Sequence, residues 1–169
     1  LLSFLNSSQY SSGIISGLED RICVRLSDGL QELSPGEAES IVLTGMGGDL
    51  ICRILSQAED KLDSFREFIL GPQSETFLVR SFLEDHGFRI TQERMICEDG
   101  KFYVVIRTVP GGPKAEKMTG EEKAFGPCLL ENKDPVLHEW LKRKKETGGR
   151  ILRDLAGINT DSAMKRRQA

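Results

Sequence analysis

Apolar residues in the first two thirds of the chain form short runs that alternate with amphipathic segments. The runs at residues 21–26, 40–44 and 68–70 are rich in Ile, Val, Leu and Phe, which predicts three strands. The second run is almost wholly apolar, which is typical of a parallel strand covered on both faces. Apolar residues recur at helical spacing over 49–58 and 74–87. This order predicts an α/β fold with a doubly wound parallel sheet.

Two longer strands follow, at residues 88–97 and 102–107, and only a short polar segment joins them. Asp99-Gly100 lies in this connection and is a strong hairpin signal, because a tight turn requires left-handed backbone that these residue types tolerate. The sheet is therefore predicted to end in an antiparallel hairpin. Residues 110–113, which contain only Pro and Gly, are predicted to end the domain as a linker.

Single residues predict the ends and the buried faces of the two helices. Asp49 is a candidate N-cap for the first helix and Ser74 for the second, because their side-chain oxygens can accept from free backbone N–H groups. Gly87 is expected to end the second helix. The predicted apolar stripe of that helix is Phe77, Leu78, Phe82 and Leu83, and the aromatic core candidates are Phe77, Phe82 and Phe88.

Residues 114–169 are predicted to be a helical appendage to a sheet domain formed by residues 1–113. Helical periodicity covers residues 120–155. Breaks in the helices are expected where glycines interrupt this pattern. The interruptions are Gly126-Pro127 and Gly148-Gly149, and the main apolar side chains are Leu137, Trp140 and Leu141.

The charge of the chain is unevenly distributed. Residues 1–113 have 10 basic and 17 acidic side chains, whereas residues 114–169 have 13 basic and 9 acidic ones. The densest basic clusters are residues 142–145 and 165–167. Such clusters can neutralise nucleic-acid phosphates, and a solvated helix face with a frayed terminus is the alternative interpretation.

Composition excludes several classes of protein. The 169 residues are 38% hydrophobic and 29% charged, with a net charge of −3, as in ordinary globular domains. No apolar run approaches the roughly 20 residues that cross a bilayer, and residues 1–5 lack the features of a secretory signal. The four cysteines form no C-x-x-C pair and there are two histidines, so we predict no metal site and a reducing cytoplasm.

Three turns follow the predicted parallel strands, at residues 27–30, 45–48 and 71–74. Ligands of doubly wound sheets bind beyond the carboxyl ends of the strands, so chemistry is expected at these turns. Glycines at 45, 47 and 48 allow the backbone to approach a ligand closely, and a tight turn without function is the alternative. Asp28 either accepts a hydrogen bond from a ligand amino group or ribose, or forms an Asx turn.

Several familiar catalytic motifs are not present in the turn Gly45-Met46-Gly47-Gly48 and its surroundings. The turn has neither the G-x-G-x-x-G spacing of dinucleotide-binding proteins nor the lysine of a P-loop. The chain has no nucleophile elbow, and neither histidine belongs to a recognisable hydrolase motif. Hydride transfer, nucleotide hydrolysis and covalent catalysis are therefore not indicated.

Several of these segments together resemble one family, the bacterial TrmK-type tRNA (adenine-22 N1)-methyltransferases. The resemblance extends from about residue 17 to residue 155, with the motifs in a consistent order. The segments that carry it are Gly17-Leu18-Glu19-Asp20-Arg21-Ile22, Ser27-Asp28-Gly29-Leu30, Ile41-Val42-Leu43-Thr44-Gly45-Met46-Gly47-Gly48-Asp49-Leu50-Ile51, Ile69-Leu70-Gly71-Pro72-Gln73, Glu98-Asp99-Gly100-Lys101-Phe102-Tyr103 and Phe125-Gly126-Pro127-Cys128-Leu129-Leu130.

The resemblance implies a Rossmann-like methyltransferase sheet that uses S-adenosyl-L-methionine to methylate N1 of adenine 22 in tRNA. A helical carboxy-terminal domain is expected to help hold the tRNA. The resemblance assigns no catalytic residue and no metal. The residues it implies for cofactor binding are Asp28, Gly29, Gly45, Met46 and Gly47, and those for substrate binding are Gly48, Pro72, Gln73, Lys142 and Arg143.

The implied reaction makes modest chemical demands on the protein. Adenine N1 has a lone pair and a sulfonium methyl group is strongly electrophilic, so alignment and desolvation carry most of the rate enhancement. The target base must leave its stack or already be exposed. A carboxylate or a polar backbone group is expected to accept the proton that the exocyclic amine loses.

The chain also departs from the family pattern. The family's first strand and its glycine-rich cofactor loop lie upstream of the matched region, so the sheet is expected to be incomplete at its amino-terminal side and the chain to be a truncated form of the enzyme. The alternative is a non-catalytic module that binds RNA or a protein partner. A different nucleotide-binding α/β protein is a third interpretation. An incomplete sheet has an unpaired edge, so self-association through that edge is also expected.

Overall fold

The computed structural model describes residues 2–4, 22–111 and 117–155. The strands in this part of the chain are β1 (Leu2–Phe4), β2 (Cys23–Arg25), β3 (Ser40–Met46), β4 (Glu67–Pro72), β5 (Arg89–Glu98) and β6 (Lys101–Val109). The helices are α1 (Gly48–Ser56), α2 (Thr76–Asp85), α3 (Gly120–Phe125), α4 (Pro127–Glu131) and α5 (Pro135–Leu155), and a 3-10 helix spans Glu59–Ser64. Residues 112–113 of the predicted linker and the basic cluster 165–167 lie outside the described residues.

The main sheet has four strands in the order β3-β4-β6-β5. β3 and β4 are parallel, whereas β6 is antiparallel to both β4 and β5. Asp99 and Gly100 form the hairpin turn with φ angles of 49° and 76°, so both residues have the left-handed backbone of a type I′ turn. The predicted parallel sheet that ends in an antiparallel hairpin is confirmed.

A second, two-stranded sheet pairs β1 with β2 in parallel, and Leu2 lies opposite Cys23. The strand β2 was predicted from the apolar run at residues 21–26. The sequence pattern did not predict β1, because a strand of three residues is too short to show an alternation.

The core lies on one face of the main sheet. Ile41 and Leu43 of β3 and Phe68 and Leu70 of β4 are buried against helices α1 and α2. The Phe68 ring makes edge contacts with two other buried rings, at centroid distances of 5.7 Å to Phe65 and 5.4 Å to Phe88.

The opposite face of β3 is open. Its burial alternates along the strand, and Val42 is 59% exposed. The prediction of a strand covered on both faces is therefore wrong within the described residues. An almost wholly apolar run does not show which of its residues lie under helices, because that depends on neighbours distant in sequence.

Helix α2 buries only part of the predicted apolar stripe: Leu83 is fully buried as predicted, whereas the first two residues of the stripe are not. Phe77 and Leu78 are 51% and 41% exposed, and the buried residues are Val79, Arg80 and Leu83. Phe82 is half-buried beside the core, while the predicted burial of Phe88 is confirmed. Arg80 was not among the predicted core residues, yet its side chain is buried inside the protein.

The predicted helix caps also differ from the structure. The N-cap of α1 is Gly47, and Asp49 lies in the first turn, where its carboxylate still complements the helix dipole. The N-cap of α2 is Glu75, in the left-handed region at φ 56°, and Ser74 precedes it. Gly47 has no side chain to cap α1, and the Glu75 side chain makes no capping hydrogen bond to α2. Gly87 follows the end of α2, as predicted.

Helices α3 to α5 contain only one of the two predicted breaks. Gly126 and Pro127 separate α3 from α4, as predicted. Helix α5 instead runs without interruption through Gly148 and Gly149. Each glycine in a helix interior costs about 1 kcal/mol, which weakens a helix without forcing it to end at that residue.

The helical segment packs against the β5–β6 hairpin. Met95 of β5, Leu129 of α4 and Leu137 of α5 form a second buried cluster, and Phe125 and Trp140 pack around it. The Trp140 ring lies 6.3 Å from that of Phe125 in an edge contact. Apolar burial therefore fixes α4 and the first part of α5 to the sheet.

A buried ion pair joins the helical segment to the sheet as well. Arg80 Nε donates to Glu93 Oε1 at 2.8 Å, and the two side chains are 1% and 0% exposed. Arg80 Nη1 donates to the carbonyl oxygen of Lys123 at 3.0 Å, and Glu93 Oε2 accepts from the backbone N–H of Cys128 at 3.0 Å. A Cβ on Gly126 would lie 2.5 Å from Glu93 Oε2, so a glycine is needed beside the pair.

A helix that crosses a bilayer must be long and apolar, and the described helices can be compared with that requirement. Among the described residues, no helix is both long enough and apolar enough to cross a bilayer.

Candidate functional site

The segments predicted as turns, Gly45–Gly48 and Gly71–Ser74, lie side by side at the carboxyl ends of β3 and β4. Their first two residues still belong to the strands, which extend to Met46 and Pro72, so each turn begins two residues later than predicted. The backbone N–H of Gln73 donates to the carbonyl oxygen of Met46 at 2.9 Å, and Met46 pairs with Pro72 in the strand register. A register shift between Thr44 and Met46 adds an extra residue, Gly45, to β3. The structure therefore brings the Gly45–Gly48 and Gly71–Ser74 turns together at the carboxyl ends of the two parallel strands.

The glycines of the first turn differ in what surrounds them. Gly45 has a φ of 77°, and no atom lies within 4 Å of the place that a Cβ would take. At Gly48 a Cβ would lie 2.7 Å from the carbonyl oxygen of Glu75 and 2.9 Å from that of Ser74. Gly45 therefore borders open space, whereas Gly48 lets the start of α1 pack against the second turn.

The two turns are also linked by hydrogen bonds. The backbone N–H of Gly48 donates to the carbonyl oxygen of Ser74 at 3.1 Å, and that of Asp49 donates to Glu75 Oε2 at 3.2 Å. A Cβ on Gly71 would lie 2.9 Å from Thr44 Cγ2. The relative position of the turns is therefore set by short contacts that involve Gly48 and Gly71.

A cavity of about 290 Å³ opens where these turns meet the hairpin. Its size approaches that of small-molecule sites, and hydrophobic residues form much of its wall. Of the predicted site residues, Gly45, Pro72 and Gln73 line it. The whole set of lining residues is Thr44, Gly45, Gly71, Pro72, Gln73, Ile96, Glu98, Tyr103, Val104 and Val105.

The hairpin wall of the cavity was missed by sequence reasoning. Ile96 and Glu98 of β5 and Tyr103 of β6 contribute to it. Part of the signal was available, because successive side chains of a strand lie on opposite faces of the sheet. Glu93 and Met95 are buried on the helix side, so Ile96 and Glu98 lie on the other face. The missing information was that β6 pairs with β4, which places this face beside Gly71 and Thr44.

The electrostatics of the cavity are simple. Glu98 is the only carboxylate among its lining residues, and Tyr103 is the only other ionisable group. Ile96, which is 49% exposed, and Val105 provide apolar surface. The cavity can therefore take a flat, partly apolar molecule whose polar edge meets a carboxylate, a phenol and the Gln73 amide.

Asp28 and Gly29 lie in the turn after β2 and do not line this cavity. A Cβ on Gly29 would lie 2.9 Å from Cγ2 of Ile54, so the turn packs on helix α1. Asp28 is exposed, and none of the described residues forms a hydrogen bond or an ion pair with its side chain. Within the described part of the chain, the Asp28 carboxylate is therefore available to a ligand.

An ion pair steadies the segment that contains this turn. Arg25 of β2 bonds the carboxylate of Glu37, at 2.5 Å for Nη2 to Oε1, and donates to the carbonyl oxygen of Glu32 at 2.7 Å. The Arg25 guanidinium, together with the backbone N–H of Ser34, lowers the pKa of Glu37 to about 2. Charged hydrogen bonds from Arg25 therefore connect β2 to Glu32 and Glu37 and stabilise the segment between them.

Lys142 and Arg143 lie on α5 and are not part of the cavity wall. Arg143 bonds Glu139 one turn earlier, and its guanidinium lies 5.0 Å from the centroid of the Phe102 ring. Lys144 lies 5.4 Å from the centroid of Trp140. Part of the basic cluster therefore packs against the protein, while Lys142 is exposed.

Metal ligands and reactive thiols do not cluster in the described residues. No group of three or more His, Cys, Asp or Glu side chains is placed there to hold a metal ion. Burial raises the pKa of the Cys52 thiol to about 11, which disfavours the thiolate form that a metal requires.

Comparison with known proteins supplies the family. The TrmK family model, tRNA (adenine(22)-N(1))-methyltransferase, matches residues 14–169. The tRNA (adenine(22)-N(1))-methyltransferase of Bacillus subtilis is 34% identical over 136 residues, which cover 78% of this chain and 57% of the relative. The chain therefore spans a little over half the length of that relative.

Two solved structures show the same fold. A protein of the NADB-Rossmann superfamily from Streptococcus agalactiae superposes with a TM-score of 0.80 at 27% identity, over 99% of this chain and 73% of that one. A Streptococcus pneumoniae protein in complex with S-adenosyl-L-methionine superposes with a TM-score of 0.76 at 27% identity, over 99% of this chain and 76% of that one. The predicted Rossmann-like sheet with a helical appendage is thus confirmed, and the chain belongs to the TrmK family, tRNA (adenine(22)-N(1))-methyltransferase.

Proposed function

We propose that this chain acts in the S-adenosyl-L-methionine-dependent methylation of N1 of adenine 22 in tRNA. The observation that carries the proposal is the cavity of about 290 Å³ at the carboxyl ends of β3 and β4, in a chain of this family. Ligands of doubly wound sheets bind at this edge. The cavity is walled by the two predicted turns and by the hairpin, so one molecule bound there contacts both.

The cofactor is proposed to bind between the turn after β2 and the turn after β3. The two turns fit such a ligand, because the Asp28 carboxylate is free among the described residues and Gly45 borders open space. S-adenosyl-L-methionine supplies an electrophilic methyl group when bound. Asp28 is suited to accept a hydrogen bond from an amino group, while Gly45 and Gly47 allow backbone approach. The proposed cofactor residues are Asp28, Gly29, Gly45, Met46 and Gly47.

The target base is proposed to enter the cavity on the other side of the Gly45–Gly48 turn. Pro72 and Gln73 line it, and Gly48 acts indirectly by holding α1 against the turn that contains them. Ile96 and Val105 exclude water from one wall. Such a site aligns a base that has left its stack and desolvates its N1, which are the main requirements of this reaction.

The helical segment is proposed to bind tRNA. We assign residues 1–113 to the methyltransferase domain and residues 114–169 to a carboxy-terminal domain. Lys142 and Arg143 are the proposed phosphate contacts, since both are exposed, and the Arg143 guanidinium also lies over the Phe102 ring. Because the second buried cluster fixes α5 to the hairpin, these cations keep a constant distance from the cavity.

The cellular setting and the assembly follow from the same proposal. A tRNA substrate places the chain in the cytoplasm. β3 is the first strand in the order of the main sheet, so its outer edge is unpaired among the described residues. Such an edge is able to pair with another strand, and we propose it as the surface for self-association or for a covering segment.

The cofactor assignment is tested with two matched glycine variants. Gly45 and Gly36 have φ angles of 77° and 78°, and neither has an atom within 4 Å of its Cβ position, so alanine costs the backbone the same at both. Only Gly45 lies at the proposed site. We expect S-adenosylhomocysteine to bind this chain weakly in calorimetry. Gly45→Ala is expected to weaken this binding further by roughly tenfold, because the added Cβ enters the open space at the site, and Gly36→Ala to leave it unchanged.

Two results would contradict the assignment. Equal weakening by both alanines would show that backbone strain, and not the site, determines the affinity. Displacement of S-adenosylhomocysteine by ATP would favour the third interpretation, a different nucleotide-binding protein. The free energy of unfolding of each variant is the control for folding.

A further inference from the structure

Glu98 is the one carboxylate among the described residues that line the cavity. It ends β5, directly before the Asp99-Gly100 turn, and lines the cavity together with Gln73 and Tyr103. Burial alternates along β5, with Glu93 and Met95 on the helix side. Glu98 is therefore on the open face, which also includes Ile96 of the same strand.

The Glu98 carboxylate has no partner among the described residues. Lys101 lies opposite it in the hairpin register, yet no ion pair forms between them within the described part of the chain. Glu93 of the same strand and Glu67 of β4, by contrast, each pair with an arginine. Glu98 is exposed and also lines a partly apolar cavity, so its carboxylate can meet a cation or a hydrogen-bond donor that binds there.

Methylation of adenine N1 produces both a positive charge and a stronger hydrogen-bond donor. When N1 of an adenine takes a methyl group from a sulfonium, the N1–C bond forms, the S–C bond breaks with its electron pair left on sulfur, and the positive charge passes to the adenine. Resonance spreads this charge to the exocyclic amine, whose N–H groups become stronger hydrogen-bond donors. The methylated base stays cationic at neutral pH, so the group beside the amine needs to accept a hydrogen bond and not the proton that the amine was expected to lose. A fixed negative group beside that amine stabilises the transition state more than the neutral base.

We propose that Glu98 is a catalytic residue that accepts a hydrogen bond from the exocyclic amine of the target adenine and stabilises the positive charge formed on the ring. This inference rests on the proposed function, because it requires the target base to occupy the cavity. Tyr103 and Gln73 can orient the base through a phenol and an amide, but the negative charge that stabilises the cation comes from a carboxylate. The carboxylate also favours adenine over bases that lack a donor at this position.

The test uses nucleosides and needs neither the cofactor nor tRNA. The nucleoside 1-methyladenosine is positively charged at neutral pH, whereas adenosine is neutral, so the pair imitates product and substrate. Backbone amide signals of Gln73 and Tyr103 in NMR titrations of the 169-residue chain report binding in the cavity. We expect 1-methyladenosine to bind roughly tenfold more tightly than adenosine.

Two substitutions distinguish the effect of the Glu98 carboxylate from that of any negative charge on the hairpin. Glu98→Gln keeps the shape of the side chain and is expected to abolish the preference for 1-methyladenosine. Asp99→Asn is the matched control, because it removes the same charge one residue away, where Asp99 does not line the cavity. Asparagine also tolerates the φ of 49° at that turn position, so the hairpin is kept.

Each outcome decides between the alternatives. Loss of the preference in Glu98→Gln and its retention in Asp99→Asn would support the inference. An unchanged preference in Glu98→Gln, or an equal loss in both variants, would overturn it and leave the cavity as the base site. If neither nucleoside shifts the two amide signals, the base does not bind in the cavity and the inference fails, whereas the cofactor assignment is judged separately by the calorimetry of the glycine variants.

Discussion

Replacing Glu93 by alanine is expected to lower the free energy of unfolding by about 3–5 kcal/mol, because the buried Arg80 guanidinium loses its counter-charge. The two side chains are 1% and 0% exposed, so water does not replace the missing carboxylate. The backbone N–H of Cys128, at the start of α4, also loses its acceptor. Urea unfolding followed by circular dichroism measures the change.

The matched control for this variant is an exposed ion pair. Arg66 and Glu39 lie 3.8 Å apart with side chains 81% and 83% exposed, so Glu39→Gln is expected to cost at most about 0.5 kcal/mol. A double variant, Arg80→Met with Glu93→Leu, is expected to lose less than Glu93→Ala alone, since no buried charge is left unpaired. A Glu93→Ala effect as small as that of Glu39→Gln would contradict the structure.

Replacing Phe68 by alanine is expected to lower the free energy of unfolding by about 3–5 kcal/mol, since a fully buried ring is lost from the core. Phe68 is 0% exposed and contacts the rings of Phe65 and Phe88 edge-on. It also lies on β4, the strand that ends in the Gly71–Ser74 turn, so the variant is expected to loosen the cavity. Thermal and urea unfolding measure the stability loss.

Phe77→Ala is the matched control, because it removes the same side chain from a position that is 51% exposed. We expect this variant to change the free energy of unfolding by less than about 1 kcal/mol. Similar losses for Phe68→Ala and Phe77→Ala would mean that α2 buries the face predicted from its apolar stripe. Such a result would contradict the packing that the structure shows.

The strands and the hairpin could be predicted because their signals are local. The apolar run at residues 40–44 and the Asp99-Gly100 turn each indicate a structure within a few residues. The break between α3 and α4 is equally local, since Gly126 is followed by Pro127 at the first turn of α4. These local signals predict the order of the elements along the chain, but not the order of the strands within the sheet.

The face of α2 could not be predicted, because it depends on a residue distant in sequence. Arg80 is buried since Glu93 of β5 and the carbonyl oxygen of Lys123 satisfy it. Without knowledge of these partners, an arginine is expected at the protein surface, and the buried face of the helix is then predicted to include Phe77. The break predicted at Gly148-Gly149 was wrong for a different reason: a glycine in a helix interior costs only about 1 kcal/mol, which weakens a helix without forcing it to end there.

The candidate site could be predicted in part. The rule that ligands bind at carboxyl ends of parallel strands located the Gly45–Gly48 and Gly71–Ser74 turns, which the structure joins by the Gln73–Met46 hydrogen bond. The opposite wall could not be located, since it requires β6 to insert between β4 and β5 in the sheet. Glu98 was therefore visible in the sequence only as part of a hairpin.

Methylation of N1 of adenine 22 is measured most directly by incubating the 169-residue chain with S-adenosyl-L-methionine and unmodified tRNA, and mapping the product by primer extension and mass spectrometry. We expect one methyl group per tRNA, a primer-extension stop at position 22 and no transfer to a tRNA that has guanine there. Transfer to another nucleotide, equal transfer to the guanine variant, or no transfer under conditions in which S-adenosylhomocysteine and tRNA both bind would contradict the proposed function.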